Sequence, residues 1–485
     1  LLFLSYEGGI VAGFFNSKAR SKKSPRVLVL GLDCASPHLI FEQFKADLPI
    51  LSRLMAGGTW GELESSIPCI TIPAWSSMMS SRDPGVLGVY GFRNRADHSY
   101  DKMVTANGGA IRHKRVWDYL GEAGKESVLI GVPQTYPPRP LKGHLVTDFL
   151  TPGTESAFTY PAVFKQEVLN LLPDYPFDVK GFRTENKAEL LKRLLAMTEA
   201  QFTLVKHCLT TKPWDFFLYV NIGVDRVHHG FWRFHDPAHR LYQPGNPFES
   251  VIRDYYIRCD QFIGEMLALA GEDVTVLVVS DHGVTRMDGG ICANEWLWQN
   301  GWLALKAPPT PGQLLKIEDA VIDWSRTRAW SSGGYYGRVF LNMQGREPEG
   351  IIPAADYEQV RDDLAAALRS IPGPAGEPLD TQVFKPEAIY QQVNAVAPDL
   401  MVYFGGLHWR AVGTLGHGKH WTLENDTGPD DANHAQQGMF ILHEPGKAGA
   451  GQVSGHQLMD IAPTLLHRLG LAVPPEMQGR LIAAG

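Results

Sequence analysis

The sequence predicts an α/β fold: a mostly parallel sheet flanked by helices on both faces, with an inserted cap. Three observations carry that expectation. Val274-Thr-Val-Leu-Val-Val279 is an unbroken run of β-branched and leucine residues, the pattern of a strand buried on both faces inside a parallel sheet. Two further runs, Arg26-Val-Leu-Val-Leu-Gly-Leu and Phe216-Phe-Leu-Tyr-Val-Asn, read the same way. Each of the three is followed closely by a carboxylate: Asp33 after the first, Asp225 with His229 after the second, and Asp281-His282-Gly283 after Val279 and Ser280. Ligands of open α/β sheets sit just beyond the carboxyl ends of the strands. One Asp-His pair alone reads as a capped strand with a surface histidine. Three acids delivered to one edge read as a site.

Taken in order, the chain begins with an ambiguous stretch. Leu1 to Phe15 is apolar apart from Tyr6, Glu7 and glycines, and Lys18 to Arg26 is basic. A secretory signal carries its positive charge ahead of the apolar run, the reverse of this order, and the run is short for a membrane span. Residues 1–25 are therefore read as an N-terminal tail and the protein as cytoplasmic, with membrane attachment expected only if an N-terminal anchor has been lost. A helical stretch from Asp47 to Ala56 leads to a strand over 60–66. Pro73 suits the first turn of a helix running through Ala74, Trp75 and Met79. Thr71 then lies at or just before its amino end, where free N–H groups and the helix dipole favour phosphate or a developing alkoxide. An N-cap threonine would look the same.

Residues 113–122 read as a helix and 127–131 as a strand, followed by a proline-rich excursion from Pro133 to Pro161 and helices over 161–172 and 186–207. Segment 135–212 is taken as an inserted cap covering the site, and 26–134 with 213–485 as the catalytic core. Beyond the strand at 216–221, Asp225 and His229 stand four apart, so one helical turn puts both on the same face. A helix over 249–269 precedes the Val274 strand. Later come a glycine-rich turn (Gly333, Gly334, Gly337), a helix over 355–369 and a strand over 399–404. The polar loop His417 to Asp431 leads to Asn433-His434, ahead of the apolar strand Met439-Phe-Ile-Leu442 and a last helix over 457–468.

Composition narrows the function classes. At 485 residues the chain is long for one simple core. A net charge of −7 without a basic stripe past residue 26 disfavours a nucleic acid polymer as partner, while a nucleotide-sized ligand stays open. The five cysteines (Cys34, Cys69, Cys208, Cys259, Cys292) are scattered and odd in number. They read as reduced core thiols, not a disulfide frame or a thiolate zinc site. Oligomeric state is not legible.

Asp33, Asp225, His229, Asp281, His282 and His434, with Thr71, offer nitrogen and oxygen ligands for two divalent ions of the zinc type. These residues resemble the alkaline phosphatase superfamily, in its branch of type I phosphodiesterases/nucleotide pyrophosphatases and predicted phosphohydrolase relatives. The likeness runs from about residue 26 to the carboxyl end. Thr71-Ile-Pro is similar to the nucleophile motif Thr-Phe-Pro, Asp225 to His229 to D-x-x-x-H, and Ser280-Asp-His-Gly to S-D-H-G. The resemblance implies an alkaline phosphatase-like core. It also implies one metal on Asp33, Asp281, His282 and Thr71, and another on Asp225, His229 and His434, with zinc expected and manganese as the alternative. It further implies attack by Thr71, a phosphothreonine intermediate and net retention at phosphorus.

Some positions depart from the family pattern. Where the family often places an asparagine after the nucleophile, Phe92 stands, so Arg93 and Asn94 are assigned to substrate binding. Trp75, Tyr90, Phe92, Phe231 and Trp232 read either as an aromatic wall suited to a diester or as core. His417 is an alternative last ligand; His434 is preferred because it abuts a strand. Glu424, Asp426, Asp430 and Asp431 read as a solvated acidic cluster. The expected function is hydrolysis of a small phosphodiester or pyrophosphate, with aryl diesters preferred over monoesters. The alternatives are a phosphomonoesterase, a phosphomutase or an inactive binding relative.

Overall fold

The computed structural model describes residues 25–310, 312–318 and 322–483. The expected N-terminal tail lies outside these residues except for Pro25. β1 (Arg26–Leu32) runs through the centre, with Val27 and Val29 packed on one face and Leu28 and Leu30 on the other. Then follow β2 (Thr59–Glu64), α1 (Thr71–Ser80), β3 (Ser127–Ile130), β4 (Gly143–Val146), β5 (Thr159–Tyr160) and α2 (Lys187–Thr211). β6 (Phe216–Asn221) leads into α3 (Gly223–His235), and α4 (Val251–Ala270) into β7 (Val274–Val279). The last elements used below are β8 (Gly283–Arg286), β9 (Ala432–Ala435), β10 (Gln437–His443) and α5 (Ile461–Arg468).

The central sheet has the order β2-β10-β7-β1-β6-β3-β4-β5, extended past β2 by Gly451–Gln452. It is parallel except where β10 runs against β2 and β7, and β5 against β4. α2, α3 and α4 cover one face; α1, the helix Val116–Glu122 and α5 cover the other. Burial on both faces explains why these strands read as continuous apolar runs and not as alternating ones. No described helix is long and apolar enough to cross a membrane.

Segment 135–212, expected as an inserted cap, is instead part of this body. β4 pairs parallel to β3, β5 closes that edge, and α2 packs its apolar side (Leu190, Leu194, Met197, Phe202) into the main core. The prolines that suggested an excursion mark turns between sheet elements. A second core exists elsewhere, between 291 and 421. There the strands Ala329–Ser332, Gly337–Leu341, Leu400–Tyr403 and Gln382–Phe384 form a separate sheet, backed by the helix Tyr357–Arg369.

Candidate active site

Register sets the level of the site. Gly31 of β1 lies opposite Val220 of β6 and Val279 of β7, so the three strands end together. Asp33 leaves the first, Asp281 and His282 leave the third, and α3 lifts Asp225 and His229 from the second. β8 then pairs antiparallel with β9, Val284 facing His434, which returns that histidine to the same edge. Two groups result: Asp33, Asp281 and His282 in one, Asp225, His229 and His434 in the other. Within each, one ligand atom per residue lies within 4.8 Å of the others. The rings of His282 and His434 stack at 3.9 Å, so the groups adjoin.

The donor atoms fit cations. His282 Nδ1 donates to the Gly283 carbonyl at 3.0 Å and His434 Nδ1 to the Cys69 carbonyl at 2.9 Å. These bonds put the protons on Nδ1 and leave each Nε2 facing its group. His229 and His434 bring their Nε2 atoms to 3.3 Å of each other. Asp33 Oδ1, Asp225 Oδ1 and Asp281 Oδ2 are buried without a hydrogen-bond partner among the described residues. A buried carboxylate oxygen left unpaired is costly, and here each group contains at least one. Asp281 Oδ2 lies 3.2 Å from His282 Nε2, and Asp225 Oδ1 3.2 Å from His229 Nε2. Burial raises the pKa of Asp33 and of Asp281, and neighbouring carboxylates raise both further. A divalent cation would relieve that repulsion. Burial opposes charge on His229, but Asp430 and Asp225 outweigh it and lift its pKa to about 9.

Thr71 is the first residue of α1, and its hydroxyl lies 3.3 Å from His282 Nε2. One turn on, Trp75 Nε1 donates to Asp33 Oδ2 at 2.7 Å, so the helix that carries the hydroxyl also aims a ligand of the first group. Gly31 makes room for this: a Cβ there would stand 2.5 Å from the Trp75 ring. Cys34, directly after Asp33, takes φ +66°, rare for a residue with a side chain. Its N–H thereby reaches Asp281 Oδ1 at 3.2 Å.

Other residues of the site carry no motif signal. Asp430, read as part of a solvated cluster, is buried. It accepts from His229 Nδ1 at 2.6 Å, Arg183 Nε at 2.9 Å and the Tyr335 hydroxyl at 3.0 Å. Asp431 is buried too, 3.6 Å from Lys187 Nζ. Arg226 donates to Asp225 and forks onto Asp178 at 2.8 and 2.9 Å. His417 lies apart from both groups, its Nε2 2.8 Å from the Thr414 hydroxyl. Asp430 could have been noticed as an acid four residues before His434; Arg183 and Tyr335 come from distant segments and could not.

A cavity of about 220 Å³ opens over Thr71, walled by Phe92, Phe182, Arg183, Arg226 and Tyr335. Of the residues assigned to substrate, Asn94 is committed to a turn: its Oδ1 accepts from Tyr90 N–H and its Nδ2 donates to the Gly91 carbonyl. Arg93 is absent from this wall and lines a neighbouring cavity. Among the aromatic candidates only Phe92 lines the cavity. Trp75, Tyr90, Phe231 and Trp232 are buried in apolar clusters, the core reading of that pattern.

The family model for type I phosphodiesterase/nucleotide pyrophosphatase matches residues 27–430. No curated protein matches by sequence. Solved structures similar to the chain include an inactive variant of mouse ectonucleotide pyrophosphatase/phosphodiesterase 5 in complex with AMP. It superposes with a TM-score of 0.54 at 13% identity, over 93% of this chain and 96% of that one. The human protein gives 0.53 at 12% identity, over 93% and 96%. Phosphonoacetate hydrolase from Sinorhizobium meliloti in complex with phosphonoformate gives 0.60 at 16% identity, over 92% and 95%. At these identities the likeness is one of fold.

Proposed function

The chain belongs to the type I phosphodiesterase/nucleotide pyrophosphatase family of the alkaline phosphatase superfamily, and from that premise we propose that it is a two-metal phosphohydrolase. Its substrate would be a small phosphodiester or pyrophosphate, cleaved through a phosphothreonine at Thr71. One observation carries this reading: two adjoining ligand groups with unpaired buried carboxylate oxygens, and a helix-terminal hydroxyl 3.3 Å from one of their imidazoles. Asp33, Asp281 and His282 would hold one divalent ion, and Asp225, His229 and His434 the other; zinc suits this donor set, with manganese the alternative. When bound, such a pair supplies charge that acidifies a neighbouring hydroxyl and neutralises phosphate oxygens during in-line displacement.

The chain's own residues do the rest. α1 fixes Thr71 at its amino end, where the first-turn N–H groups favour an oxyanion. Thr71 Oγ1 attacks phosphorus, the new O–P bond forming as the leaving oxygen departs. Water then attacks the same phosphorus, the bond to Oγ1 breaks, and the hydroxyl regains its proton. Two inversions give net retention. AMP and phosphonoformate, named with the structural relatives, are small anionic phosphorus compounds, one a phosphomonoester and the other a phosphonate. A monoesterase or phosphomutase is the second reading; Arg183 stands in the wall beside Thr71, its charge shared with Asp430 at 2.9 Å. The test is a turnover screen of aryl mono- and diesters, phosphonates and nucleotides with Zn²⁺ or Mn²⁺ supplied. Silence across that screen would overturn the enzymatic reading.

A further inference from the structure

A second cavity, of about 300 Å³, adjoins the one over Thr71. Phe92, Arg183 and Tyr335 stand in the walls of both, and Ile70, the residue before Thr71, lines the second. The two differ in kind. The cavity over Thr71 takes in Asp225 of the second ligand group. The wall of the other contains no carboxylate among the described residues but four arginines: Arg93, Arg183, Arg338 and Arg410. Arg183 and Arg410 are neutralised, by Asp430 at 2.9 Å and Asp426 at 3.3 Å. Arg338 is not. It is buried, and its bonds go to uncharged oxygens: Nη2 donates to Ser332 Oγ at 2.8 Å and the Gly333 carbonyl at 3.1 Å, and Nη1 to the Arg93 carbonyl. The Arg93 side chain is exposed, and neither it nor Arg338 has a carboxylate partner among the described residues.

Arg338 does tether its strand to the chain at Arg93 and at Ser332–Gly333, but a tether to uncharged oxygens needs no charge, and a buried cation without a counterion is unfavourable. In a chain of net charge −7, a cavity whose charged lining residues are all arginines is a local choice. It is also open: a Cβ at Gly91 would have no neighbour nearer than 3.9 Å. A guanidinium presents a planar fork matched to carboxylate and phosphate.

We propose that this cavity receives the non-reacting end of the substrate, and that this end is anionic: a carboxylate or a second phosphate on the group esterified to the phosphorus that Thr71 attacks. The inference rests on the phosphohydrolase reading and narrows it to substrates charged at both ends.

The experiment compares nitrophenolate release from two pairs of diesters with the metal-loaded protein. One pair is 4-nitrophenyl phenyl phosphate and 4-nitrophenyl 4-carboxyphenyl phosphate. The other is thymidine 5′-(4-nitrophenyl phosphate) with and without a 3′-phosphate. In at least one pair the charged member should be favoured about tenfold or more in kcat/KM, and the pair with the larger ratio identifies the anion. In Arg93→Gln and Arg338→Gln that ratio should fall towards one, and in Arg93→Glu below it. Arg93 is exposed, so its variants stay informative even if Arg338→Gln fails to fold. Gly91→Leu, which narrows the cavity while keeping all four arginines, should penalise all these diesters relative to 4-nitrophenyl methyl phosphate. Ratios near one in the parent, or undiminished in Arg93→Glu, would overturn the subsite while leaving the phosphohydrolase standing. Failure to turn over any of these diesters would remove the subsite together with the diesterase reading.

Discussion

The two ligand groups offer the same kinds of atom but are braced by different means. Around Asp33, Asp281 and His282 the supports are neutral: the Trp75 indole, the Cys34 N–H and the Gly283 carbonyl. Around Asp225 and His229 they are charged: Arg226 on one, Asp430 on the other, with Arg183 behind Asp430. The electrostatics follow. Burial and neighbouring carboxylates raise Asp33 and Asp281, and the Trp75 bond and the Cys34 N–H do not outweigh them, whereas at Asp225 burial is outweighed by His229 and Arg226 and the pKa is held well below the usual carboxylate range. Without a cation the first group is in conflict with itself, and the second is partly satisfied by its own countercharges. Two carboxylates with one imidazole and one carboxylate with two imidazoles thus carry very different costs without a cation.

The largest effect sets the baseline for this comparison. Thr71→Ala removes the hydroxyl and leaves both groups whole, so turnover should fall by at least about a thousandfold while metal content stays at that of the parent. A loss smaller than tenfold would exclude covalent catalysis through Thr71. Next, Asp430→Asn attacks only the charged bracing. It should weaken metal binding at the second group by about 10- to 100-fold, read by metal analysis during dialysis against a chelator. Metal lost equally from both groups would mean that they are not separately braced.

A paired substitution tests the comparison directly. In metal-free protein, Asp281→Asn relieves the carboxylate conflict and should raise stability to urea, whereas Asp225→Asn takes one of two countercharges from Arg226 and from His229, leaving Asp178 and Asp430, and should lower it. The expected shifts are about 1–3 kcal/mol in opposite directions; shifts of the same sign would break the contrast. Trp75→Phe keeps most of the ring and deletes only the bond to Asp33, so the cost is smaller, about 1–2 kcal/mol in the metal-free protein. The smallest effect is at His417, which lies outside both groups. His417→Ala should retain the parent's metal content, whereas His434→Ala should not.

Legibility in the sequence followed locality. The three strands could be read because burial on both faces leaves an uninterrupted apolar run, and their end residues follow directly. Asp225 and His229 could be paired from helical spacing, and Thr71 placed by Pro73 two residues on. Trp75 was within the same reach: it stands one turn from Thr71 on α1 and was still read only as wall or core. Asn94 failed for a different reason. Its distance from the nucleophile suggested a substrate contact, but its carboxamide closes the turn between Tyr90 and Gly91. Segment 135–212 was misplaced because its prolines outweighed the short apolar strands β4 and β5, whose partners lie elsewhere in the sheet.

By itself, the sequence determined the strands, the edge at which they end and the ligand types delivered there, because strand burial and helical spacing are written in neighbouring residues. The tertiary structure alone decided how those ligands are aimed. His434 finds its proton acceptor in the Cys69 carbonyl, 365 residues away, and His229 finds Asp430 across 201. The uncompensated guanidinium of Arg338 meets the chain around Arg93 only where two strands distant in sequence come together. Hydrogen bonds and charge pairing act through space over a few ångströms, and no local pattern records which distant atoms folding brings within that range.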